Sequence, residues 1–204
     1  MQRRHFLPCL SVFALGAPWV AMASDEAPDA LVRRVSNDVL NTFKTDPTLA
    51  NDMGRIMTVV DSKLMPHVNF NRMTASAVGR HWRQATPEQQ SQLQDGFKQL
   101  LVRTYSGALT EVKNLTVVFR PLRAQPTDTE VVVRSEVRGR GEPIQLDYRL
   151  EKTPQGWKIY DLNVLGVWLV ETYRGQFAQE ISNKGIDGLI ATLAQRNKSA
   201  ARPG

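Results

Sequence analysis

Apolar positions recur at helical spacing through the first half of the chain and alternate through most of the second. In APDALVRRVSNDVLNTFK, Leu31, Val35, Val39, Leu40 and Phe43 form one stripe, and Arg33, Arg34, Asn37 and Asp38 lie elsewhere. A second stripe, Met53, Ile56, Met57, Val60 and Leu64, stops at Pro66. A short helix is predicted in NRMTASAVGRHW. The next segment has the plainest start signal: Thr86 as N-cap, Pro87 in the first turn and Gln89 three residues after the cap. Leu93, Phe97, Leu100, Leu101, Tyr105 and Leu109 then share a face, which predicts the longest helix of the chain.

From Leu115 the period falls to two. LTVVFRPL, TEVVVRSEV, PIQLDYRL and GWKIYDLNV read as four strands, and the short, turn-rich links PTD, GRGEP and TPQG require antiparallel neighbours. Ile144, Leu146, Tyr148 and Leu150 alternate with Gln145, Asp147, Arg149 and Glu151, so one face is buried and the other polar. The fourth run breaks the alternation. Trp157 and Ile159 share parity with Asp161 and Asn163, whereas Leu162 and Val164 share it with Lys158, which predicts strong twist or a bulge with cover on different faces at its two ends. After Gly166 the spacing of Val167, Val170, Tyr173, Phe177 and Ile181 is helical, and GIDGLIATLAQRN forms a last helix. The predicted fold is α+β: a helical N-terminal half, a four-stranded, strongly twisted antiparallel sheet and C-terminal helices.

The first residues change the picture of the mature chain. MQRRHFLPCLSVFALGAPWVAMAS has two arginines, an uncharged apolar stretch from Phe6 to Ala23 and small residues at Ala21 and Ala23, the layout of a secretory signal cleaved after Ala23. Arg3-Arg4 also fits twin-arginine export, so the Sec and Tat routes both stay open. Residues 24–204 are expected to form one periplasmic domain. Loss of residues 1–23 lowers the formal charge from +6 by two arginines and removes Cys9, the single cysteine, so disulfides and thiolate chemistry are not expected. No later segment has the roughly 18 apolar residues of a membrane span. The modest positive charge is compatible with anionic lipid surfaces or acidic partners and shows no basic–aromatic pattern for nucleic acid.

Candidate chemistry is sparse. His67 and His81 lack the spacing of a metal pair, and no G-x-S-x-G elbow or phosphate-cradling glycine loop occurs. Asp161, on a strand beside an apolar interior, is the best acid–base candidate, because burial would raise its pKa. It supports an alternative reading as a small cone-shaped α+β enzyme acting on an apolar substrate. The positive signal is the supply of inward apolar side chains, including Phe97, Tyr105, Phe119, Tyr148, Trp157, Tyr173 and Phe177. Spacing alone leaves a filled core and a hollow interior both open.

Residues 70–109, 146–181 and 185–193 resemble the MlaC family, the phospholipid-binding component of the Mla pathway, also known as the toluene-tolerance auxiliary family. The specific pieces are W-R-x-x-T-x-x-Q from Trp82 to Gln89, D-Y-R from Asp147 to Arg149, G-W-K-x-x-D from Gly156 to Asp161, and Y-R-x-x-F from Tyr173 to Phe177. The resemblance spans about Ala30 to Asn197. It implies a non-catalytic, monomeric carrier without cofactors. Acyl chains of a phospholipid would lie in an apolar cavity, exchanged between MlaA with its porin at the outer membrane and the MlaFEDB transporter at the inner membrane, through MlaD. A lipid-free adaptor acting by surface contacts is a third reading.

On that basis the expected lipid-binding residues are Tyr105, Val133, Leu146, Tyr148, Leu150, Leu162, Val164, Val167, Trp168, Val170 and Tyr173. Three positions depart from the family pattern. Trp168 stands where serine is usual and Leu165 where an acid is frequent, so LGVW replaces EGVS; Asn69 replaces an aspartate. Trp168, bulky and amphipathic, is expected at the cavity mouth or beside the lipid glycerol region.

Overall fold

The computed structural model describes residues 26–199; the predicted signal segment lies outside them. Helix α1 (Pro28–Thr45) starts with proline in its first turn. It buries Leu31, Val32 and Val35 against the sheet and Phe43 in a separate cluster. Helix α2 (Met53–Val59) is capped by Asp52, whose carboxylate accepts the N–H groups of Gly54 and Arg55. A π turn at Val60–Leu64 and a 3₁₀ turn at Met65–His67, which contains Pro66, end this segment. Helix α3 (Phe70–Val78) is capped by Asn69, and its predicted extension to Trp82 is instead a 3₁₀ turn over Gly79–Gln84. Helix α4 (Pro87–Tyr105) has the predicted capping box: the Thr86 hydroxyl accepts from Gln89 N–H while the Gln89 side chain accepts from Thr86 N–H. It stops at Tyr105, and a 3₁₀ segment, Ser106–Asn114, leads into the sheet.

The sheet is an antiparallel meander of β1 (Thr116–Phe119), β2 (Glu130–Arg138), β3 (Ile144–Thr153), β4 (Gly156–Val164) and β5 (Val167–Trp168), in chain order. The expectation was four strands. The fifth arises because Leu165 and Gly166 both take left-handed backbone angles, φ 54° and 86°, and close a two-residue hairpin that pairs Val164 with Val167. Helical spacing after Gly166 therefore begins one short strand later than expected, in α5 (Leu169–Ser199).

The change of apolar face in β4 also has a specific cause. Arg149 pairs with Asp161 but Leu150 pairs with Ile159, so Tyr160 is the extra residue of a bulge. The expectation of cover on opposite faces is corrected: the insertion shifts the phase by one residue, and Trp157, Ile159, Leu162 and Val164 all pack on the apolar side. The outer edge of β4 at the bulge is taken by the chain entering α3, where Asn69 N–H donates to the Ile159 carbonyl at 2.8 Å.

Helix α5 is broken at Gly185, whose φ of 72° and ψ of −178° are not helical. The predicted boundary between two C-terminal helices falls at this residue, and the 19-residue α4 remains longer than either half of α5. Buried apolar residues among those described form three clusters. One joins α3, α4 and α5 around Phe97; the second joins α1 to the sheet; the third joins α1 and α2 around Phe43 and Ile56. Val68 and Leu162, both half-buried, border the first two clusters at once.

Candidate functional site

One face of the sheet is continuously apolar. Register places Leu146 opposite Val164, Tyr148 opposite Leu162, and Leu150 opposite Ile159, with Val133 opposite Tyr148 on the other side. Exposure rises steadily along this face. Leu150 is 0% exposed and Tyr148 7%; Leu146, Leu162 and Val164 are half-buried; Ile144 reaches 38% and Val167, paired with Val164, 53%. The apolar face thus runs from a closed floor to an open end formed by the start of β3 and the β4–β5 turn.

The helices close the opposite side. Val170 and Tyr173, from the first turns of α5, join the cluster in which Phe97 of α4 lies 5.0 Å from Tyr173, 5.2 Å from Phe177 and 5.8 Å from Phe70 between ring centres. Tyr105, on the last turn of α4, is exposed; partial burial and the neighbouring Tyr173 push its phenol above the ordinary value. Tyr148 is tied to α1 by a 3.4 Å contact between its hydroxyl and that of Ser36, and burial pushes its phenol up as well. The structure therefore brings together Val133, Leu146, Tyr148, Leu150, Leu162 and Val164 on the sheet. Val170 and Tyr173 of α5 share a cluster with Leu162 and Val164, whereas Val133, Leu146, Tyr148 and Leu150 pack with α1; Val167 and Tyr105 lie at more open positions.

Trp168 is not among them. It pairs with Asn163, one residue out of phase with Val167, so it projects on the polar face of the sheet. There Arg149 lies over its ring at 3.8 Å from the centre. This period-two alternation sets it on the opposite face of the sheet from Leu146 and Val164. Sequence reasoning also passed over Ile144, whose parity with Leu146 was visible, and Val68, which no periodicity could link to the sheet because it joins by an isolated bridge to Ile159.

Asp161 occupies the same polar face and is buried. Its Oδ1 accepts the N–H groups of Leu162 at 2.8 Å and Val170 at 3.1 Å, and its Oδ2 accepts from Arg149 at 3.1 Å. Burial pushes the carboxyl above the usual aspartate range, opposed by those two N–H groups and by Arg149. The group ties β4 to the start of α5 and faces away from the apolar interior, so the reading of Asp161 as an acid–base catalyst is not supported.

Further along this face, Glu130 and Glu151 are direct cross-strand neighbours, a like-charge pair. Arg72 of α3 donates to both and stacks over Tyr160 at 3.6 Å, while the Tyr160 hydroxyl donates to Glu130 at 3.1 Å. The bulged tyrosine and the arginine together clamp α3 to the sheet. A separate groove of about 680 Å³ between α3, the 3₁₀ turn after it and α5 is lined by Arg72, Arg80, Arg83 and Arg174, and by none of the expected lipid-binding residues. Among the described residues no group of three or more His, Cys, Asp or Glu side chains is placed to hold a metal ion, and no helix is long and apolar enough to cross a membrane.

Fold and interior define the class: an α+β protein in which helices cover one apolar face of a twisted antiparallel sheet and leave it open at one end. The chain belongs to the MlaC family, whose sequence model matches residues 33–195. It is similar to toluene tolerance protein ttg2D of Pseudomonas putida, with 25% identity over 206 residues, covering 97% of this chain and 94% of that protein. It is also similar to the intermembrane phospholipid transport system binding protein MlaC of Haemophilus influenzae, with 22% identity over 185 residues, covering 88% and 85%. Among solved structures, a phospholipid-binding protein from Ralstonia solanacearum in complex with a phospholipid has a TM-score of 0.83 and 51% identity, covering 88% of this chain and all of that one.

Proposed function

We propose that the protein is a periplasmic phospholipid carrier of the Mla pathway, exported by residues 1–23 and acting as a monomer through residues 24–204. The observation that carries this reading is the 51% identity and TM-score of 0.83 to a protein solved with a phospholipid bound. The acyl chains lie against Leu146, Leu162 and Val164 and against Val170 and Tyr173 of α5. Val133, Tyr148 and Leu150 support the floor, Tyr105 and Val167 flank the open end, and the head group faces solvent. The carrier exchanges lipid with MlaA and its porin at the outer membrane and, through MlaD, with MlaFEDB at the inner membrane.

Energetics suit an exchanger. Two acyl chains of about sixteen carbons, at ~0.8 kcal/mol per methylene, represent roughly 25 kcal/mol of transfer from water. Lipid leaving a bilayer has already made that transfer, so movement between membrane and carrier is nearly balanced, and docking to partners sets its direction. No cofactor is required by this mechanism. Native mass spectrometry of protein purified from its own periplasm tests the reading. A bound species of phospholipid mass is expected; delipidated protein that fails to reacquire phospholipid from vesicles would sink it.

A further inference from the structure

We propose that the open end of the sheet is a membrane-docking edge, in which Leu165 inserts into the interface of an anionic bilayer while lipid enters or leaves. The inference rests on the carrier reading and adds the surface through which the lipid passes. Three aliphatic side chains stand exposed at this end: Leu165 at 65%, Val167 at 53% and Ile144 at 38%. Pairing brings them together, since Val164 opposes Leu146, Val167 opposes Val164, and Leu165 N–H donates to the Gln145 carbonyl at 3.0 Å. Ile144 and Val167 continue the same apolar face that holds Leu146 and Val164, so the exposed edge is continuous with the proposed lipid site.

Leu165 has no packing reason to be where it is. Its φ of 54° belongs to a turn that asparagine or glycine closes without strain, and its side chain is mostly in solvent. A strained, exposed leucine, held rigid by a backbone bond to β3, is a feature with a cost and no internal return. Contact with an apolar phase outside the protein supplies the return.

Charge at this end selects the phase. Arg138 ends β2, and the link to β3, which leaves the same edge, carries Arg140. Three carboxylates lie among them: Glu142 in the link, Glu136 on β2, shared between Arg120 and Arg138, and buried Asp147 on β3, which acts on Arg120 and opposes Arg134. Four guanidinium groups, Arg120, Arg134, Arg138 and Arg140, against these three carboxylates leave a positive excess beside the apolar tip, the pairing that favours an anionic membrane surface. Three short side chains are too few for a stable protein interface and suit brief, reversible insertion.

The exported chain is tested by flotation with phosphatidylcholine vesicles, with and without phosphatidylglycerol, and by the rate of phospholipid uptake from the same vesicles. Leu165→Asn relieves the backbone and removes the apolar tip, so its melting temperature should equal or exceed that of the parent. Its flotation and uptake from phosphatidylglycerol vesicles should fall about tenfold, and Arg140→Gln should erase much of the preference for phosphatidylglycerol. Unchanged flotation and uptake in Leu165→Asn overturns the proposal, as does loss of exchange with a protein donor while vesicle uptake is kept. Failure of the parent protein to take up any phospholipid would instead remove the carrier reading itself.

Discussion

The guanidinium of Arg149 lies over the ring of Trp168, 3.8 Å from its centre, on the face of the sheet opposite Leu146 and Val164. The contact joins β3 to β5 and places the indole beside the polar ladder that also holds Asp161. Trp168→Ser should therefore cost about 0.5–2 kcal/mol of stability through loss of the cation–π contact and leave phospholipid occupancy unchanged. Chemical denaturation and native mass spectrometry on one sample check both halves; a fall in occupancy at unchanged stability would return Trp168 to the lipid path.

Floor and mouth of the apolar face should respond differently to substitution. Leu150 is fully buried, so Leu150→Ala should destabilise the fold by about 2–5 kcal/mol. Half-buried Leu146 lies nearer the open end, and Leu146→Gln should lower phospholipid occupancy with a much smaller loss of stability. Equal losses of occupancy and stability in Leu146→Gln would mark it as ordinary packing.

Acid should loosen the clamp between α3 and the sheet. The hydrogen bond from Arg72 holds the Glu130 carboxyl below its ordinary value of 4.5. A depressed carboxyl stabilises the fold above its unfolded-state value, and that contribution disappears as pH falls through the lower folded-state value. Glu130 is more than half exposed, so solvent screening limits the gain to below about 1 kcal/mol. The stability difference between the parent and Glu130→Gln should be present at pH 7 and shrink as pH drops below the ordinary glutamate range. Urea titrations at several pH values read it directly, and a difference that grows on acidification contradicts the assignment.

The break in α5 should depend on backbone geometry alone. A methyl group added at Gly185 would meet nothing within 4 Å, yet φ there is 72°. With ψ at −178° the residue lies in a region that essentially glycine alone adopts, so Gly185→Ala and Gly185→Asn should each cost about 1–3 kcal/mol. Thermal unfolding of the two variants checks both, and a Gly185→Asn variant as stable as the parent contradicts the assignment.

Much of the architecture was legible in the chain because its signals are local. The Thr86–Gln89 capping box and the alternation of Ile144 to Leu150 each specify an element within a few residues, and the structure has both. The same holds for the helix boundary at Gly185. The apolar faces of β3 and α5 that meet in the proposed site could be named for the same reason: each is periodic over several turns or residues.

What the sequence determined by itself was therefore the order and type of the main elements and which side of each is apolar. Tertiary structure alone decided how those sides join. Tyr160 is one extra residue against β3, and only the hydrogen-bonded partner strand shows that it shifts the phase of β4 and returns Leu162 and Val164 to the face of Ile159. Leu165 and Gly166 reverse the chain through left-handed angles, and only the resulting register sends Val167 to one face and Trp168 to the other. A period of two reveals a face only while the count is unbroken. Bulges and tight turns break it by a single residue, and their positions are set by pairing with strands that periodicity within one segment does not contain.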